Sequence, residues 1–489
     1  MSGKHQSSTP TVKFPHRSRR GVLLGLSVPQ LVVAGLTGLL LLAVILARGV
    51  VGALQLIPLW AVIALLVFVR HRGRALADWA PIVVRYALRR MRGQLVWLTR
   101  PSRRPTREGL LHLPGTAASL RVTTAPDGKY GAVHNPHTGT LTAVVKVSSR
   151  AYALLDPGTQ QANVGGWGRA LAALARTGQI ARIQVIERTI PDSGDALRRY
   201  WEEHGRPDTP MAGAIYNELI QSAGPAAAPH EAYVAVSLDT KAARRLINQA
   251  GGGLTGAFSV LAQLTSTFDQ AARTAGLTPT GWLTAREIAA VVRTSYDPKA
   301  LATLDRWSTA GRPEAEPAAA GPVVVVEKAD HIATDSAVHA TYWVENWPRT
   351  ETSAGFLHQL LFTGGVRRTL SLSYEPKNLD AALRDVQRKK SSVIADAAER
   401  TRRGQVDSEA DSIEYQEDIK SRERQLIAGH ADVALTGLLT VSADTEDELR
   451  TACAVVETAA VSAQLDLRPL TWQQAEAFTA AALPLALAA

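Results

Sequence analysis

Hydrophobic positions along this chain fall into three regimes. Val22–Ala47 and Gly49–Val69 contain no charged residue, and each is long enough for a helix that crosses a hydrocarbon core, which takes ~20 residues. Arg48 and glycines separate them, which predicts a tight helical hairpin turning at Arg48–Gly52. From Glu108 onward apolar residues instead alternate in short runs or recur at helical spacing, the pattern of a soluble body burying one face of each element. Between residues 378 and 428 they thin to a narrow stripe among charges (Leu379, Leu383, Val386, then Ile413, Ile419, Leu426). That stripe predicts a charged helical arm, read either as a solvated face or as a partner-docking surface.

Within the body, Tyr130–His134 and Leu141–Ser149 flank turn residues and predict a hairpin. Gly168–Arg176 reads as a helix, Ile180–Thr189 as a strand, Asp195–Ala223 as helical and Ala232–Leu238 as a strand. Helices follow at Lys241–Ala250, at Phe258–Ala275 and at Thr284–Arg293, the last opened by a capping box of Thr284 and Glu287. Gly311–Pro322 is rich in Pro, Ala and Gly and predicts an interdomain linker. Beyond it, Val323–Glu327 and His339–Glu345 read as paired strands, Ser353–Leu361 as a helix and Thr369–Tyr374 as a strand. Val433–Ser442 and Asp466–Leu470 read as strands, Glu446–Gln464 and Thr471–Ala481 as helices. A strand–helix–strand theme recurs three times without a sequence period.

The expected fold is therefore α+β: an N-terminal two-helix transmembrane hairpin, then cytoplasmic strand–helix–strand sandwich domains with a long charged helical arm. The expected divisions are a disordered basic leader (1–21), the hairpin (22–70), a basic amphipathic juxtamembrane segment and linker (71–107), α+β domains at 108–310 and 323–489 around the linker 311–322, and the arm at 378–428. Aromatic residues and arginines alternate over Leu76–Thr99, which suits either a helix on the membrane surface or one packed on the body.

Charge changes the picture through its location. The formal charge is +10, but residues 1–107 hold 17 Lys and Arg against one acid, Asp78, while the remainder holds 37 basic and 43 acidic residues. The basicity flanks the apolar runs, with Arg17, Arg19 and Arg20 before them and Arg70, Arg72 and Arg74 after. Positive flanks mark the cytoplasmic side, so both termini are expected there, in a bacterial inner (plasma) membrane. Membrane lipids become the expected partner, and direct nucleic-acid binding by the body loses its support. The long charged leader lacks a good A-x-A site and a second apolar run follows at once, which argues against a cleaved signal peptide. Cys453 is the only cysteine, so no intrachain disulfide forms.

Candidate chemistry is sparse. The chain contains no G-x-x-x-x-G-K-[ST], H-E-x-x-H, paired C-x-x-C or G-x-S-x-G, and neither catalysis, a cofactor nor a metal is expected. Gly251–Gly256 matches G-x-G-x-x-G formally, but a helix precedes it where a dinucleotide site needs a strand. His134 and His137 are spaced for a shared metal without a third ligand nearby, and His331 with Asp330 and Asp335 sits in a loop. Trp343 and Trp347, near Arg349, suit core filling or a partner hot spot.

The C-terminal run HADVALTGLLTVSADTEDELRTACAVVETAAVSAQLDLRPLTWQQAEAFTAAALPL resembles the end of the N-terminal domain of type IV secretion conjugation ATPases of the TrbE/CagE/VirB class. The matching positions are Leu435, Leu439, Val441, Leu449, Phe478, Leu483 and Pro484. The basic leader, close helices and basic exit resemble the small PrgI-type membrane subunit found beside such ATPases. The resemblance implies a PrgI-like anchor fused to an ATPase's N-terminal domain without its P-loop motor. It would be a non-catalytic platform, a homo-oligomer within the complex, docking a separate P-loop motor ATPase beside other secretion-channel subunits. An EccE-like type VII secretion subunit, also with two N-terminal membrane helices and a cytosolic α+β body, is the alternative within transport; a membrane-tethered enzyme with an unrecognised site is the alternative outside it.

Overall fold

The computed structural model describes residues 11–12, 14, 28–71, 74–99, 108–149, 152–190, 195–205, 210–223, 230–310, 315–348, 350–377, 382–391, 417, 419–424, 426 and 431–488. They form two compact units, a smaller one built on the apolar helices and a larger one built on a mixed helix-and-sheet body.

In the smaller unit, α1 (Val28–Gln55) and α2 (Ile57–Phe68) carry the apolar runs. By length and composition one helix, Gln30–Gln55, is long and apolar enough to cross a membrane. Gly49 interrupts it at φ 67° and ψ −175°, a left-handed φ that glycine adopts without strain. Gln30 Nε2 donates to the Val67 carbonyl at 2.5 Å, so the start of the first limb meets the end of the second. At ~1.5 Å per residue each limb between those residues and Gly49 rises ~27 Å, and only a reversal there brings the ends together. The returning limb pauses at Leu56 because Pro58, in the first turn of α2, has no N–H with which to continue the preceding helix. Val32, Leu36, Leu39, Leu46, Val50 and Val62 point outward, as on a lipid-facing surface.

A two-residue ladder, β2 (Arg70–His71) with β3 (Arg74–Ala75), leads into α3 (Leu76–Met91). The segment 76–99 is thus not one amphipathic helix. Gly93, at φ 67°, follows the helix, and residues Val96–Leu98 form a strand, β4.

The larger unit begins with β1 (Thr11–Val12), antiparallel to Thr352–Ser353 (β14), with Phe14 stacked on Trp347 at 5.0 Å. Part of the expected disordered leader is therefore ordered, because a single aromatic finds an aromatic pocket.

The body centres on a 13-stranded sheet in which β5 to β13 and β15 to β17 pair antiparallel. Its first half contains β5 (Arg121–Thr124), β6 (Gly131–Asn135), β7 (Thr140–Ser149), β8 (Ile180–Thr189), β9 (His230–Asp239) and β10 (Leu277–Trp282). Its second half contains β11 (Val324–Glu327), β12 (Ile332–Ala333), β13 (Val338–Asn346), β15 (Arg367–Pro376), β16 (Val433–Ala443) and β17 (Asp466–Pro469). Read from each outer edge, the orders are β5-β6-β7-β9-β8 and β11-β12-β13-β16-β15, with β10 on β7 and β17 on β13; β4 extends the sheet beyond β11. The halves have the same topology and meet where β8 pairs with β15.

Register supports the duplication. The buried Thr142–Ser237 hydroxyl pair at 3.0 Å between β7 and β9 has its counterpart in Thr341–Thr440 at 3.0 Å between β13 and β16. Likewise Glu187 opposite Ala232 and Thr189 opposite His230 correspond to Tyr374 opposite Leu435 and Pro376 opposite Val433. The theme expected three times is present as two topological copies.

Helices cover both faces. On one lie α4 (Pro157–Arg176, capped by Asp156) and α8 (Gly253–Thr274), which with Val145, Val234, Val236 and Ile183 close a core; α12 (Glu446–Ser462) closes a second with Leu439, Val441 and Leu449. On the other lie α9 (Ala285–Tyr296), with the expected capping box, and α13 (Gln474–Ala482), their Tyr296 and Phe478 rings 5.0 Å apart. Between β8 and β9 the chain makes α5 (Asp195–His204) and α6 (Pro210–Ala223). At the equivalent place between β15 and β16 comes the charged arm, described as helix at 382–391 and 419–424, where Arg422 binds Asp385 (3.0 Å) and Asp432 (2.5 Å).

Three expectations change, and residues 311–314 of the expected linker lie outside the described residues. The stretch 315–322 packs into the body: Ala315 and Ala320 are buried, and a Cβ on Gly321 would lie 2.1 Å from the His112 carbonyl oxygen. It marks the boundary between the repeats rather than a linker, since the sheet runs on unbroken. The strands containing Val323–Glu327 and His339–Glu345 do not pair with each other, because β12 lies between them. The helix expected over Ser353–Leu361 is confined to α11 (His358–Leu361).

Candidate functional site

The densest group of ionisable side chains gathers where β8 ends and β9 and β15 begin. Side chains alternate across a strand, so neighbours there serve opposite faces. On the α9 face, Arg188 Nε and Nη2 donate to Glu231 Oε2 at 3.0 and 2.7 Å, and Lys146 Nζ donates to Glu231 Oε1 at 2.7 Å. The Tyr233 hydroxyl donates to Glu231 Oε2 at 2.8 Å, and Arg188 Nη1 reaches Thr294 Oγ1 at 3.1 Å. Burial pushes the Glu231 carboxyl pKa up, but Arg188 and Lys146 outweigh it and hold it at about 2. This network is closed, with both carboxylate oxygens engaged.

The opposite face differs. Arg368 is 2% exposed, and its Nη1 donates to the Thr363 carbonyl at 2.7 Å and the Val366 carbonyl at 3.3 Å. Glu187 Oε1 hydrogen-bonds His230 Nδ1. Burial raises the Glu187 carboxyl pKa, with His230 and Arg368 opposing the rise. Burial likewise lowers the Arg368 pKa, with Glu187 opposing. Arg368 Nε, Glu187 Oε2 and Thr189 Oγ1 are buried and have no hydrogen-bond partner among the described residues. Leaving one such atom unpaired costs about 1–3 kcal/mol, so three together need an explanation. His230, beside Phe362 at 5.0 Å, stands at the rim.

Sequence reasoning missed this group, although its signal is present. The inward column of β15 runs Arg368, Leu370, Leu372, Tyr374, and that of β8 runs Ile183, Val185, Glu187, Thr189; each contains charge among apolar residues.

The residues singled out from sequence do not converge. Arg17, Arg19, Arg20 and Arg72 lie outside the described residues, as does Arg349, while Arg70 and Arg74 lie on β2 and β3. Leu439, Val441 and Leu449 fill one core and Phe478 and Leu483 another; Leu435 is half-buried on β16 and Pro484 is buried beyond α13. These are packing positions. Gly251 and Gly252, between α7 (Arg244–Gln249) and α8, and Gly253, the first residue of α8, all take positive φ, forming a helix stop and restart. His134 lies on β6, and among the described residues no group of three His, Cys, Asp or Glu is placed to hold a metal. His331 Nδ1 bonds Asp330 at 2.8 Å, whereas Asp335 accepts the Val323 and Val324 amides at 2.9 and 2.8 Å. Trp343 lies beneath Arg468 at 4.6 Å, and Trp347 meets Phe14.

Residues 226–344 match the family model described as "EccE: Putative type VII ESX secretion system translocon, EccE". The matched stretch contains β9 to the greater part of β13, about a quarter of the chain, and includes His230, Glu231 and Tyr233. The match backs the type VII alternative over the conjugation reading. No curated protein matches the chain.

Proposed function

We propose that this protein is a non-catalytic, membrane-anchored subunit of a type VII secretion translocon. The observation that carries the reading is the EccE match across the middle of the chain. The apolar hairpin agrees with it, since its outward leucines and valines need a lipid environment. The hairpin crosses the membrane twice. The Gln30–Val67 contact supports this topology, as do the basic flanks. So does the pairing of Thr11–Val12 with Thr352–Ser353, because a segment before the hairpin and the body after it then share one side, which requires an even number of crossings. That side is the cytoplasm, and the body holds other translocon subunits, including a P-loop ATPase, near the membrane in an assembly with several copies.

The test is purification of the full chain from native membranes in mild detergent, followed by identification of the proteins retained. Recovery of type VII secretion subunits supports the reading, whereas recovery of a conjugation ATPase and its channel overturns it.

A further inference from the structure

We propose that Arg368, Glu187 and Thr189 form a recognition site for an amide group at the seam between the two repeats. Arg368 Nε–H is an unpaired donor, Glu187 Oε2 an unpaired acceptor, and the Thr189 hydroxyl serves as either. Arg368 and Thr189 are 98% and 92% buried, so bulk water does not satisfy them. The guanidinium and carboxylate influence each other's ionisation, yet no hydrogen bond joins them. A group seated between them accepts from the arginine and donates to the glutamate. The two charges are opposite, which favours a neutral occupant, and a carboxamide presents one C=O and one N–H pair in a single plane.

The duplication supplies the second observation. At the equivalent end of the seam the second repeat places Tyr374 where the first has Glu187, and Pro376 opposite Val433 where it has Thr189 opposite His230. Tyr374 is packed there by Trp167 at 6.1 Å. The same strand geometry is thus built with a packed aromatic, so the fold by itself does not demand a buried polar set. His230, its side chain 32% exposed, and Phe362, 59% exposed, flank the group on its solvent side.

The experiment is a titration of the full chain in detergent, labelled with ¹⁵N-arginine, following the Arg368 Nε–H resonance assigned through Arg368→Met. Acetamide represents a free amide, N-acetyl-asparagine N-methylamide a protein side chain, and sodium acetate and N-acetyl-alanine N-methylamide are the controls. A saturable shift with acetamide or the asparagine compound, at least tenfold tighter than with either control and lost in Thr189→Val, supports the site. Tighter binding of the asparagine compound than of acetamide identifies a partner side chain as the source, and the reverse order a small amide. Preferential binding of acetate, or no saturable shift with either amide, overturns it. The triple variant Glu187→Leu, Thr189→Val, Arg368→Leu is expected to fold with an undiminished thermal midpoint while losing the amide response. A lowered midpoint assigns the group a structural role and likewise overturns the proposal.

Discussion

Val185 on β8 lies directly opposite Leu372 on β15, and each is the sixth residue of its ten-residue strand. The seam between the repeats is therefore centred on an equivalent pair, and the sheet passes through it without an edge. Both half-sheets rely on this pairing to cover an edge strand. The body should unfold as one cooperative transition, with tryptophan fluorescence and far-ultraviolet circular dichroism giving coincident denaturant midpoints. Two separated transitions would show that the repeats are independent domains.

His339 should make stability depend on pH below neutrality. It is fully buried on β13, hydrogen-bonded to Thr334 Oγ1 at 3.0 Å and Ser442 Oγ at 2.8 Å, and burial lowers its pKa from 6.5 to about 3. Its stabilising contribution is present above the unfolded pKa of 6.5 and is lost as pH falls toward the folded one. Between pH 7 and 5 the loss is on the order of 2 kcal/mol. Denaturant titrations at both pH values should show it, and His339→Gln should remove most of the difference.

Arg188→Met should destabilise the body by about 3–5 kcal/mol, because it leaves Glu231 buried without its principal cation. The wild-type network should persist in mild acid: the contribution of Glu231 is present above its unfolded pKa near 4.5 and is lost as pH falls toward about 2. Urea midpoints of the wild-type and Arg188→Met proteins at neutral pH measure the first effect. Acid titration of the wild type measures the second.

Corresponding helix ends in the two repeats predict opposite responses to substitution. After α8 the left-handed position is Gly276 (φ 73°), and after α12 it is Gln464 (φ 58°). Leu465 N–H donates to the Ala460 carbonyl at 2.9 Å there, the wide bond of a Schellman motif. Gln464→Gly should stabilise by about 1 kcal/mol by relieving the left-handed strain. Gly276→Ala should destabilise by more, since the added Cβ would lie 2.6 Å from the Asn163 side chain. Thermal midpoints of the two variants should move in opposite directions.

In the hairpin, Gly49→Val should oppose the reversal, because a β-branched residue resists positive φ. Cysteines at Gln30 and Val67 in a Cys453→Ser background should crosslink efficiently when Gly49 is present and poorly when it is valine. Equal crosslinking in both would place the reversal elsewhere.

Local physics made much of this chain legible. A run without charge is an apolar helix wherever it lies, Gly49 permits a turn, and Thr284 with Glu287 caps a helix through contacts three residues apart. The strand Ile180–Thr189 was readable to the residue from its alternation. What needed the tertiary structure depends on pairing between distant segments. Nothing local shows that β8 joins β15 across nearly two hundred residues, that 315–322 is packed rather than a linker, or that two halves of dissimilar sequence share one topology. The Arg368 group was hidden for the same reason: a charge in an apolar column looks like noise until the sheet brings Glu187 and Thr189 beside it. Hydrophobic periodicity determines which face of an element is buried, but register alone decides which buried polar groups meet.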